Sequence, residues 1–329
     1  MKTPHLAPTV LRLTVTLCPA VIACSGATLH ERAIEHNARA ATLIEEGELA
    51  GARASLEVAL EYNPRFAEAH ANLGLIDLRE GRLEDAERRL EKAVLFNPDF
   101  AEAWTNLAGL SLSLGMPDEA LVRARQAVEV DPDFPEGRIA LIRALLLSGS
   151  EEEAEDQARR LMVVRPDEAR SHAVIAMVAL ARRQLDVTDR EVELALEIDG
   201  ELPLALEVRG RLRLLLGRAA EAGPDLSAAL RDRPADVDLR YLRALALLQG
   251  GEVERAEAEL REALARRPRH ARALAALALI EAAQGQRTRA RELLARALEA
   301  QPGLAEAVGL CRQLGESCAA APEAVDTSR

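Results

Sequence analysis

AEAHANLGLIDLREGRLEDAERRLEKAVLFNPDF (residues 67–100) is followed without a gap by AEAWTNLAGLSLSLGMPDEALVRARQAVEVDPDF (residues 101–134). In the first stretch Ala69, Leu73, Ile76 and Leu78 recur at helical spacing up to Gly81. Leu83, Ala86, Leu90, Ala93 and Val94 continue the pattern beyond it. Apolar residues at i, i+3, i+4 and i+7 give each segment one stripe to bury. Gly81 suits the end of a helix, where φ turns positive and a Cβ is costly. Pro98 closes the second segment, because proline cannot continue a helix. Ala86 and Ala93 are small enough to let two helices approach closely. The stretch therefore predicts a helical hairpin with a short turn, and the second stretch predicts another.

The same punctuation extends in both directions. Prolines fall at Pro64, Pro98, Pro132, Pro166, Pro234, Pro268 and Pro302, with Gly200 at the one skipped position. Glycines keep phase at Gly47, Gly81, Gly115, Gly149, Gly217, Gly251 and Gly285. Alanines follow at Ala52, Ala86, Ala120, Ala154, Ala222, Ala256 and Ala290, with a second row through Ala59, Ala93, Ala127, Ala195, Ala229, Ala263 and Ala297. Three residue types locked to one 34-residue period mean one structural unit used again and again. The units run 33–66, 67–100, 101–134, 135–168, 169–202, 203–236, 237–270 and 271–304. Residues 305–318 are expected to form a capping helix and 319–329 a disordered tail. Two units depart from the pattern. In the fifth, Arg183, Thr188 and Gly200 replace glycine, alanine and proline, which predicts looser packing and either a hinge or mere drift. In the sixth, Gly223-Pro224 lies where the second helix belongs, so that helix either starts late or kinks.

Trp104, Leu107, Ala108, Gly115, Ala120, Ala127 and Pro132, with Leu73 and Gly74 one unit earlier, resemble the tetratricopeptide repeat (TPR) family. The resemblance implies an all-α, right-handed α-solenoid of eight hairpins whose first helices line a concave groove. The family's groove positions are the second, fifth, ninth, twelfth and thirteenth of each unit. Here they include Leu75, Leu78, Leu112, Ile139, Arg143, Leu146, Leu147, Met177, Leu180, Arg211, Leu214, Leu215, Tyr241, Leu245, Leu248 and Leu279. Arg79, Arg170 and Arg272, with Glu68, Glu102, Glu136, Glu207 and Asp238, punctuate this aliphatic lining. Such a groove suits an amphipathic or apolar segment, unless the leucines are used up in packing between repeats. Ala71, Leu75, Thr105 and Gly109 stand where a carboxylate clamp would need polar side chains, so a clamp of that kind is not expected.

The first 23 residues read differently. Lys2 and Arg12 precede an uncharged run, Leu13 to Ala23, too short to span a bilayer and matched to the apolar part of an export signal. The run ends Val21-Ile22-Ala23-Cys24-Ser25, which resembles a bacterial lipobox. Cleavage before Cys24 would free the residue that carries the lipid, since only a thiol forms the required thioether. The resemblance implies a lipoprotein with 24–32 as its linker, sorted by Ser25 to the periplasmic face of the outer membrane. An ordinary or uncleaved leader remains the alternative. In an oxidising compartment Cys311 and Cys318 either bridge or stay as two thiols.

Composition bounds the chemistry. A net charge of -12 argues against a nucleic-acid partner, which demands a basic face. Aromatic residues at 2% and abundant alanine, leucine, arginine and glutamate favour helix over strand. Outside the repeats there is too little chain on either side for a catalytic domain. His36, His70 and His172 share the fourth position of their units with Trp104, which marks them as packing residues. Successive units place them about 10 Å apart, against about 2 Å for a metal–nitrogen bond, so no metal is expected. Glu151-Glu152-Glu153 suits the positive end of a helix better than a paired-carboxylate site. No phosphate loop or nucleophile elbow is present, and neither cofactor nor small-molecule substrate is expected. The sequence thus predicts a non-enzymatic, lipid-anchored scaffold that binds another envelope protein. A cytosolic adaptor with an uncleaved leader, or a regulatory subunit of an exported enzyme, is the alternative.

Overall fold

The computed structural model describes residues 30–234 and 236–315. The leader, Cys24, Cys318 and the tail lie outside them. The described residues are all-helical, with seventeen α-helices and no strand. They fall into two compact units that divide in sequence between Arg183 and Gln184. The first holds α1 (Glu31–Glu45), α2 (Leu49–Tyr62), α3 (Ala67–Arg79), α4 (Leu83–Phe96), α5 (Ala101–Leu114), α6 (Pro117–Val130), α7 (Pro135–Leu147), α8 (Glu151–Val164) and α9 (Ala169–Ala181). The second holds α10 (Leu185–Ile198), α11 (Pro203–Leu215), α12 (Ala219–Asp232), α13 (Val237–Gln249), α14 (Val253–Arg266), α15 (Ala271–Ala283), α16 (Arg287–Ala300) and α17 (Ala305–Gln313).

Within each unit the helices pack as antiparallel pairs, and the pairs stack. In the first, α1 lies on α2, α3 on α4, α5 on α6 and α7 on α8, and each first helix also touches the next first helix. In the second, α11 lies on α12, α13 on α14 and α15 on α16, while α17 covers both α15 and α16. The turn that makes each pair is the same. Gly81 has φ 75°, its N–H bonds to the Leu78 carbonyl at 3.1 Å, and the Arg82 N–H reaches back to the Asp77 carbonyl at 2.8 Å. These two bonds satisfy carbonyls that a helix end would leave open. Arg183 occupies the corresponding position of the fifth repeat and takes the same left-handed conformation, φ 59°, with its N–H on the Leu180 carbonyl at 3.1 Å. It does so against the cost of a Cβ.

The core lies between the paired helices, where small side chains decide the distance. Ala52, Ala86, Ala120, Ala154, Ala222, Ala256 and Ala290 are all fully buried, as is Thr188 in the same row. Thr188 fits because its hydroxyl donates to the Gln184 carbonyl at 3.0 Å, leaving no polar group unmet. The closest approaches need glycine. A Cβ on Gly74 would meet Leu90 Cγ at 2.8 Å, and one on Gly210 would meet Leu226 Cγ at 2.7 Å. The same register sets Ile142 opposite Ala158, both buried, with the sizes exchanged. Close packing is thus kept by trading volume across the pair.

In the sixth repeat the helix does not start late. α12 begins at Ala219, with Arg218 accepting from the Glu221 and Ala222 N–H groups, and runs through Pro224. The N–H that proline lacks would have served the carbonyl of exposed Ala220, which water can reach. α8 begins at Glu151, so the three glutamates do occupy the positive end of a helix.

In the second, third, fourth and seventh repeats the fourth position does more than fill space, whereas the sixth and eighth carry Leu206 and Leu274 there. His70 Nε2–H donates to the Pro64 carbonyl at 3.0 Å, Trp104 Nε1–H to the Pro98 carbonyl at 2.8 Å, and Arg240 to the Pro234 carbonyl at 2.9 Å. Arg138 donates to the Pro132 carbonyl in the same way. The side chains differ, and what they share is an N–H. Each pins the proline-containing loop before its own helix, tying successive pairs together. His70 is 4% exposed and its Nδ1 is buried without a partner among the described residues. Burial therefore holds this imidazole below its ordinary pKa, with Arg89 and Lys92 adding to the effect and the Pro64 carbonyl opposing it.

Two outcomes follow from this geometry. With its pKa depressed in the folded chain, His70 supports folding fully above its unfolded pKa of about 6.5, and that support is lost as pH falls below it. Between pH 7.5 and 5.5, thermal unfolding followed by Trp104 fluorescence should fall more for the native chain than for His70→Gln, which keeps a donor but cannot titrate. About 1 kcal/mol of lost stability corresponds to roughly 2–4 °C; parallel curves for the two chains would contradict the assignment. Arg183→Gly should raise stability by about 1 kcal/mol in urea unfolding, by removing the left-handed strain.

Candidate binding groove

The first helices of each unit present a shared inner face, and the groove positions fall on it. In the first unit, Leu75, Leu78, Leu112, Ile139, Leu146 and Met177 are half-buried, and Leu147 is 62% exposed. Leu75 leans on the cluster around Leu56 and Leu73, and Leu78 on that around Leu90 and Leu107. Leu180 and, in the second unit, Leu214 are only 9% exposed, so they build the wall rather than face a partner. The leucines that remain open are Leu147, Leu215 and Leu279, together with the outward edges of the half-buried ones.

Most of the charges between these leucines are already spent inside the chain. Arg79 donates to the Ile44 carbonyl at 3.0 Å. Arg170 meets Glu136 at 2.6 Å, one repeat away at the same position. Arg211 meets Glu207 at 2.7 Å, and Arg233 bridges Glu207 to Asp236. Arg143 is engaged as well. Asp238 accepts from Arg267 and from His270 Nε2, each at 2.9 Å. Burial opposes ionisation of this carboxylate, yet those two donors hold it well below the usual range. His270 Nδ1 accepts the Ala273 N–H at 3.0 Å and so caps α15, which fixes the tautomer that donates to Asp238. Glu68 is pushed upward by burial, and Glu102 on the neighbouring helix adds to it.

One concavity stands out in the second unit. A cavity of about 350 Å³ opens between α13, α15 and α17. Tyr241, Leu245 and Leu248 form one wall, Arg272, Ala276 and Leu279 the middle, and Glu306, Gly309 and Gln313 the far side. Its lining is predominantly apolar, with a few polar groups at the rim. Ala275 and Ala276 of α15 and Gly309 of α17 leave its base lined by small residues. The Tyr241 hydroxyl is pushed up to about 12, chiefly by burial, with Arg272 opposing and Glu306 and Asp238 reinforcing. The Tyr241 ring stands 5.4 Å from that of His270, tilted against it.

The remaining expectations divide by place. Cys311 is buried on α17 and disulfide-bonded, while Cys318, its expected partner, lies outside the described residues. Cys24 lies outside them too. Among the described residues no three His, Cys, Asp or Glu side chains gather as metal ligands would. What sequence reasoning missed was the small floor of the cavity. The signal was present in Ala275, Ala276 and Gly309, but its meaning depends on α17 being there to make the far wall.

Comparison with known proteins places this architecture. The tetratricopeptide repeat family matches over residues 43–110, 111–178, 208–264 and 241–305. No curated protein matches the sequence. Among solved structures, the chain is similar to that of the APC/C hetero-tetramer Cut9-Hcn1, at 15% identity and a TM-score of 0.61. That match covers 84% of this chain and 55% of the other, so the chain spans about half the length of that relative. It is similar also to a tetratricopeptide repeat protein from Parabacteroides merdae, at 21% identity and a TM-score of 0.53, covering 72% of this chain and 94% of that one. At these identities the likeness is one of fold. With the family matched along most of its repeats and each unit built of stacked hairpins, this chain belongs to the tetratricopeptide repeat family.

Proposed function

We propose that the chain is a non-catalytic protein-interaction scaffold, tethered by lipid on Cys24 to the periplasmic face of a bacterial outer membrane. It holds an amphipathic or apolar segment of another envelope protein and so helps that protein assemble or take its position. The observation that carries the binding half is the cavity between α13, α15 and α17, apolar in its walls and polar at its rim. The anchoring half rests on the leader and on Val21-Ile22-Ala23-Cys24-Ser25. Two acyl chains or more hold a protein stably to a bilayer where one does not, and a mature lipoprotein of this kind carries at least two.

The two halves are tested separately. Cys24→Ala should abolish palmitate labelling in cells and release the chain from the membrane fraction; continued labelling would remove the anchor from the proposal. For the groove, a photo-crosslinking residue is placed at Leu279, on the cavity wall, or at Val122, exposed on the outer helix α6. Illumination of intact cells should give a discrete adduct with an envelope protein from position 279 and none from 122. Equal yields from the two positions would mean that the inner face has no special role.

A further inference from the structure

The rim of the cavity shows what its occupant must carry. Of the groove arginines, Arg79, Arg143, Arg170 and Arg211 all have partners within the chain. Arg272, at the second position of the eighth repeat, is exposed on the cavity wall and forms no ion pair or hydrogen bond among the described residues. One repeat before it, Asp238 is turned away onto Arg267 and His270. One repeat after it, at the same position on the adjacent helix α17, Glu306 also lines the cavity, exposed and likewise unpaired among the described residues. In the first unit the same row shows the contrasting case, with Glu136 and Arg170 closed on each other at 2.6 Å. Arg272 and Glu306 therefore stand on adjacent helices at the rim of an apolar floor, as opposite charges not closed on each other.

We infer that this cavity takes a peptide segment bearing aliphatic side chains together with one acidic and one basic residue, the acid against Arg272 and the base against Glu306. The inference rests on the groove-binding reading and deepens it. The floor of Ala275, Ala276 and Gly309, under Leu245, Leu248 and Leu279, accepts one or two aliphatic side chains and not a bulky segment. Neighbouring helices lie about 8–10 Å apart, which is the span of roughly two turns of a bound helix at 1.5 Å per residue. Charges placed so far apart fix the direction in which the segment lies, since reversing it sets acid against Glu306 and base against Arg272. Such pairing selects partner and register more than it adds affinity. Gln313, at the same rim, is free to bond the backbone of the segment.

The test uses the full chain as bait for a display library of random 16-residue peptides, the best binder then being synthesised with a fluorophore and titrated. Selected peptides should share aliphatic residues with an acid and a base about two turns apart. Arg272→Glu should weaken binding at least tenfold. The double exchange Arg272→Glu with Glu306→Arg should restore binding to the same peptide with its charges exchanged. A control variant fills the floor: a Cβ on Gly309 meets nothing within 4 Å, so Gly309→Leu can enter the cavity without disturbing the helix. Helix content and melting of each variant are checked by circular dichroism. If Gly309→Leu blocks binding but neither charge variant changes it, the charge inference is overturned while the groove reading stands. If no peptide is selected that Gly309→Leu displaces, both are overturned.

Discussion

Everything in this protein depends on how closely two helices can lie. The distance is set where one helix gives up its side chain, at Gly74 under Leu90 and at Gly210 under Leu226, with less than 3 Å left for a Cβ. A methyl group there would have to push a fully buried leucine, and overpacking of that kind costs about 1–3 kcal/mol. The row from Ala52 to Ala290, alanine except for Thr188 in the fifth repeat, keeps the same approach along the chain. Once the pairs are tight, their outer surfaces are flat enough to stack, and stacking leaves the first helices together on one face. The groove is therefore a by-product of close packing, and its lining is free to vary because the spacing is fixed elsewhere.

That separation explains what could be read from the sequence. The fold class was legible because its determinants are local and periodic: glycine in the left-handed turn, proline after the second helix, small residues in the crossing. Each obeys a rule that needs no knowledge of the rest of the chain. Arg183 shows the limit of such rules. It adopts φ 59° and closes its helix on the Leu180 carbonyl as the turn glycines do, although its residue type does not favour that conformation. Pro224 shows another limit, since solvent beside Ala220 lets the helix run on despite Gly223 and the lost N–H. The fourth-position donors were visible as a row of His, Trp and Arg, but their common N–H gains meaning only when the proline carbonyl of the preceding loop is seen in reach.

The candidate site was less legible for a physical reason. Groove positions mark an inner face, yet whether a leucine on that face is wall or floor depends on neighbours far away in the chain. Leu180 and Leu214 are wall, while Leu279, at a different groove position, is open. The charges are harder still. Arg170 and Arg272 occupy the same position in their repeats, and sequence gives no reason to separate them. One finds Glu136 and is neutralised; the other is bordered by an aspartate already committed to His270 and Arg267. Availability, not identity, distinguishes them, and availability is a property of the assembled surface.

The net negative charge is not spread evenly along the repeats. The first five repeats carry 35 acidic and 19 basic side chains, whereas the last three carry 14 and 18. An anionic surface would repel the first group and not the second. Coulomb repulsion between exposed charges dies away within about 8 Å at physiological salt, so this difference acts only on what comes close. A chain held by its N-terminus beside a membrane would place its acidic repeats nearest the anchor in sequence. The repeats that hold the cavity, being near neutral, would be repelled neither by acidic nor by basic partners at long range. Discrimination there falls to the short-range groups at the rim, where Arg272 and Glu306 stand uncompensated over an apolar floor. A neutral surround with two opposed charges is how a site reads the pattern of a segment instead of its net charge.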